Sequence, residues 1–147
     1  MSEFSDAEIA DLRCLVRLMI PASDRYKVPA ADDPLIFADI IKSFGRDLPA
    51  VHSALADLAA RSAGSFAALD TAQQAVVAEG FREQSGTPLM LLHRTVLLCY
   101  YRDDRVMISL DQEPRAPFPK GHVVEQGDWS LLDQVKQRPK MWRDAPP

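Results

Sequence analysis

Three histidines, two cysteines and six glycines are few for 147 residues, and each scarcity removes a class of chemistry. Cys14 and Cys99 have no metal-binding or redox spacing. Their apolar neighbourhoods, LRCLV and LLCYY, favour two buried free thiols over one disulfide. Most of the glycines read as helix stops, which leaves no loop to cradle a phosphate, and neither G-x-S-x-G nor C-x-x-C occurs. Basic residues are also short: 17 Lys and Arg stand against 21 Asp and Glu, without the basic stripe that nucleic acid requires. No run approaches the roughly 18 apolar residues of a membrane span. The opening MSEFSDAEIADLR is polar and acidic, unlike a Sec or twin-arginine signal. The expectation is a soluble chain, cytoplasmic unless a partner carries it to the periplasm, with no nucleic-acid partner and no direct membrane insertion.

What remains is the composition of an ordinary globular protein, 47% hydrophobic and 26% charged. The length suits one domain that buries roughly 70% of its unfolded surface. Periodic segments fill residues 1–110, and they read as an all-α bundle of about five helices. Ser5 and Glu8 form a capping box ahead of Ile9, Leu12, Val16 and Met19 at helical spacing, and Pro21 ends that helix. Asp33-Pro34 starts a second, with Ile36, Ile40 and Phe44 on one face, Phe37 and Ile41 beside them, and Gly45 as its stop. The third carries Leu48, Val51, Leu55 and Leu58 and ends near Gly64. The fourth is capped by Asp70 or Thr71 and turns Val76, Val77, Gly80 and Phe81 inward, with Gly86 closing it. Thr87-Pro88 opens the fifth, LMLLHRTVLLCYY, apolar nearly all round and therefore expected at the centre. Asp103-Asp104 turns the chain, and VMISL, with no second strand to pair with, reads as extended coil.

Residues 111–147 have no helical or strand period. They hold both tryptophans and six of the eleven prolines, a composition that suits an irregular arm ordered by lying against something. Trp129 and Trp142 either fold back to cap the helices or dock on another chain, a role that suits a large apolar ring with one donor. The candidate partner-binding set is Phe118, His122, Trp129, Leu131, Leu132, Val135, Arg138, Met141, Trp142 and Arg143. Lys136, Arg138, Lys140 and Arg143 form a basic cluster beside the aromatic anchors that reads as a solvated face or as partners for acidic groups across an interface.

Catalytic groups are sparse. His52 has no carboxylate or second histidine at i+3 or i+4 and reads as a surface residue. His93, on the apolar fifth helix, is the one plausible general base, although a satisfied core histidine fits as well. Asp32-Asp33 and Asp103-Asp104 are accounted for by a helix cap and a turn. No catalytic, cofactor-binding or metal-binding residue is assigned in this chain.

Four segments, LRCLVRLMIPASD, ADDPLIFADII, LLHRTVLLCYY and SLLDQVKQRPKMWRD, resemble the gluconate 2-dehydrogenase subunit 3 family over roughly residues 8–143. Such small subunits accompany a large FAD-dependent flavoprotein of the glucose–methanol–choline oxidoreductase superfamily, which holds the FAD and the catalytic histidine. The resemblance implies a non-catalytic accessory subunit, with FAD and substrate on the partner. Many members begin with a twin-arginine signal. This chain shows none, so a cytoplasmic sugar, glycoside or alcohol oxidoreductase complex is implied, with a cytochrome or other electron acceptor left open. The alternative is a free-standing helical enzyme or ligand-binding bundle in which His93 works with Tyr100 or Tyr101 in an internal pocket.

Overall fold

A computed structural model describes residues 4–84, 86–114 and 125–144, and among them every regular element is helical, apart from one isolated bridge between Ser23 and Val28. The chain divides into two units, Met1–Pro114 and Arg115–Pro147.

Cap chemistry starts most helices of the first unit. The α1 helix, Asp6–Met19, begins with a reciprocal box in which Glu8 N donates to Ser5 Oγ at 3.3 Å and Ser5 N donates to Glu8 Oε2 at 2.9 Å. For α2, Pro34–Ser43, the backbone N of Leu35 donates to Asp33 Oδ1 at 3.1 Å, and the proline ring is already set at the helical φ. The α3 helix, Leu48–Arg61, follows a 3-10 turn at Gly45–Asp47. Gly45 stands at φ 48°, left-handed geometry that costs a glycine little and other residues more. Asp70 and Gln73 cap α4, Thr71–Gln84, by exchanging bonds of 2.8 and 3.1 Å. The α5 helix, Gly86–Tyr100, starts one residue ahead of the expected Thr87-Pro88, at a glycine with φ 56°.

Helices α3 and α5 form the central pair: α3 packs on α1, α4 and α5, and α5 on α2, α3 and α4. The core holds Leu12 and Val16 of α1, Ile36 and Ile40 of α2, Val51, Leu55 and Leu58 of α3, Phe81 of α4 and Leu92 and Val96 of α5. Each fully buried side chain of this kind contributes about 1.5–3 kcal/mol.

Several details depart from the sequence reading. VMISL is not extended: it lies within α6, Asp104–Ser109, because Asp103 caps the segment by accepting from Arg105 N at 3.0 Å and Val106 turns into the core. Val76 points outward and is 75% exposed, since the inner face of α4 is formed by Val77, Ala78 and Phe81. The α5 helix shares the centre with α3 and is not buried all round. Its Leu89, Leu92, Val96 and Cys99 face in, while Met90, Leu97 and Leu98 remain exposed. Asp11, a polar residue on the inner face of α1, is 3% exposed and accepts from Ala67 N at 2.8 Å and from Ser65 Oγ at 3.4 Å. Both cysteines are free, Cys99 buried and Cys14 only half-buried.

Among the described residues no helix is long and apolar enough to cross a membrane.

Candidate functional site

The described part of the second unit is built around a short helical nucleus. Asp128 accepts from Ser130 N at 3.0 Å and from Ser130 Oγ at 2.6 Å, and these two bonds hold its carboxyl below the usual carboxylate range. That cap starts a 3-10 turn, Trp129–Leu132, which runs into the single turn of α7, Asp133–Lys136. This segment was expected to be irregular throughout. The difference comes from the Asp-x-Ser cap, a local signal that is legible in the sequence. The nucleus brings Trp129, Leu131, Leu132 and Val135 together within two turns, and Met141 and Trp142 follow nearby in the chain. All six are exposed, from 42% at Leu132 to 81% at Met141. Phe118 and His122, the other two apolar or aromatic candidates, lie outside the described residues.

The basic cluster divides by residue type. Lys136 pairs with Asp133 at 3.1 Å, and Lys140 pairs with Asp144 while its ammonium sits 5.9 Å from the centre of the Trp142 ring. Arg138 and Arg143 are exposed and have no partner among the described residues. The Lys136 and Lys140 charges are therefore paired inside this unit, whereas the two arginine forks have no acceptor among the described residues.

In the first unit the sequence candidates separate. His93 lies on the wall of a cleft of ≈ 440 Å3 formed by three elements. The α1 end contributes Leu15, Leu18 and Met19, α4 contributes Ala78 and Phe81, and α5 contributes Leu89 and Leu97 around the imidazole. Burial pushes the pKa of His93 down, and no hydrogen bond or charge among the described residues offsets it. Glu79 and Arg82 also line the cleft, joined to each other by bonds of 2.6 and 3.1 Å. The two tyrosines considered beside His93 are elsewhere. Tyr100 donates to Pro29 O at 3.0 Å and packs edge-on to Tyr101, and neither ring lines the cleft. Two helical turns separate His93 from Tyr100, about 10 Å along the axis, too far for a shared proton.

His52 is not a plain surface residue. Its Nδ1 meets Glu8 Oε1 at 2.6 Å, its ring packs on Phe4 with centroids 4.9 Å apart, and its Nε2 is buried without a partner among the described residues. A nitrogen closed off in this way gives no access to a substrate, so the pair reads as a clamp between α1 and α3. Among the described residues no three His, Cys, Asp or Glu side chains cluster as a metal site would require. Set against known proteins, the chain matches no family model, no curated protein and no solved structure.

Proposed function

We propose that the chain is a non-catalytic small subunit that assembles with, and stabilises, a larger FAD-dependent oxidoreductase acting on a sugar, glycoside or alcohol. The observation that carries the binding role is the exposed apolar set of the second unit, six large side chains within residues 129–142. Exposed apolar groups at this density, two of them tryptophans, are typical of interface hot spots. The unpaired Arg138 and Arg143 suit acidic groups at the rim of such an interface. The flavoprotein identity of the partner rests on the resemblance of the four sequence segments to gluconate 2-dehydrogenase subunit 3. In this reading the chain binds no FAD itself, and hydride transfer to flavin takes place on the partner.

The test is affinity purification of the tagged chain from its native cells, with mass spectrometry and visible absorbance of the eluate. A yellow complex containing one large oxidoreductase supports the proposal. A colourless, folded, monodisperse single chain overturns it.

A further inference from the structure

The cleft around His93 is a second feature, and it does not depend on the subunit reading. It is concave and bounded by three helices. Its ≈ 440 Å3 falls in the range of small-molecule sites, while a docked helix would need a groove several turns long. Most of its wall is aliphatic or aromatic, with Leu15, Met19, Phe81 and Leu89 among the lining side chains.

Three lining groups are polar, and their arrangement restricts the occupant. Glu79 and Arg82 pair with each other through two hydrogen bonds, and both side chains are 61% exposed. His93 is half-buried and unpaired, with no hydrogen-bond partner among the described residues. A neutral imidazole has one donor and one acceptor nitrogen, and neither is closed off here, so the ring can offer either to a ligand in the cleft. The depressed pKa of His93 is consistent with the neutral form.

We infer that this cleft binds an uncharged, largely apolar small molecule, with one hydroxyl, carbonyl or N–H group that hydrogen-bonds to His93. The apolar body lies against Leu15, Met19, Phe81 and Leu89. A carboxylate or ammonium gains less, since the charged groups described in the lining, Glu79 and Arg82, are already paired with each other.

The experiment uses the full chain and two matched probes, 2-naphthol and 2-methylnaphthalene, which differ in having a hydroxyl or a methyl on the same ring system. Binding is followed by NMR, reading the His93 imidazole and the α1, α4 and α5 amides. Saturable binding at one site that shifts the His93 ring signals is expected. The naphthol is expected to bind about threefold to tenfold more tightly than its methyl counterpart. His93→Leu is expected to bring that ratio close to one, His93→Gln to restore part of it, and Ala78→Trp to abolish binding of both probes by filling the cleft. If His93→Leu does not fold, the Gln and Trp variants still decide the matter. The inference is overturned by non-saturable binding, by shifts confined to another face, or by a ratio that His93→Gln and His93→Leu leave unchanged.

Discussion

His52 Nδ1 lies 2.6 Å from Glu8 Oε1, joining α3 to the first turn of α1 across 44 positions of sequence. Glu8 also closes the capping box with Ser5, so one carboxylate starts a helix and fastens it. Burial pushes its pKa up, but hydrogen bonds from Ser5 N–H, His52 and the Ser5 hydroxyl outweigh that and hold it below the usual range. A carboxylate lowered in this way adds stability that is complete above its unfolded value of about 4.3 and is lost as pH falls through the folded value. His52→Ala is expected to cost about 1 kcal/mol, read from the denaturation midpoint at neutral pH. Glu8→Gln should flatten the acid limb of the stability curve.

Asp11 makes the corresponding link to the loop before α4. With its carboxylate removed, the N–H of Ala67 loses its acceptor in a part-buried setting. Asp11→Ala is expected to destabilise by about 1–3 kcal/mol. Asp11→Asn, which keeps an acceptor oxygen, should cost less. Urea titration of the two variants side by side measures the difference.

The desolvated imidazole of His93 makes a pH signature of opposite chemical type. Its folded pKa lies below the unfolded value of about 6.5, so between the two values the unfolded chain binds more protons. Stability is therefore at its full value above about pH 6.5 and falls as pH drops, levelling once the folded pKa has been passed. In His93→Gln this slope should vanish. Thermal melts of both proteins across this range give the comparison, and a slope that persists in the variant would assign the effect to another group.

Trp129 and Trp142 are expected to behave unlike core residues. Each is well exposed, so replacement by Ala should change the unfolding free energy by less than about 0.5 kcal/mol. Partner affinity should fall by about 2 kcal/mol or more at whichever ring is the anchor, roughly thirtyfold in Kd. Calorimetry with the purified partner measures this. Weakened folding with unchanged affinity would contradict the docking role.

The legible parts of the chain were those decided within a few residues. Ser5 with Glu8, Asp33 with Pro34 and Asp70 with Gln73 announce helix starts because a cap oxygen and its donors are sequence neighbours. Gly45 and Gly86 announce breaks because they stand at φ values that a side chain resists. The hidden parts depend on residues far apart. A search for a partner of His52 one turn away finds nothing, since Glu8 comes from another helix. The inward carboxylate of Asp11 looks like a solvent group until the 65–67 loop arrives to meet it. On α5, apolar composition overstates burial because Met90 and Leu98 differ from their inward neighbours only in angular position. The cleft at His93 is assembled from three helices, and no local pattern contains it. The tryptophans were legible as large apolar groups in the last quarter of the chain, but the turn that groups Trp129 with Val135 depends on Asp128, whose capping role was not drawn from the sequence.

Arg105 reaches both Asp103, the cap of α6, at 2.9 Å and Asp33, the cap of α2, at 2.8 Å. A helix of six residues cannot persist by itself. Its order rests on the Asp103 cap, on the burial of Val106 and on this tie to the start of α2, 72 positions earlier in the sequence. In the native protein the α6 amides should therefore be among the first of the helical unit to exchange with solvent whenever that distant corner opens.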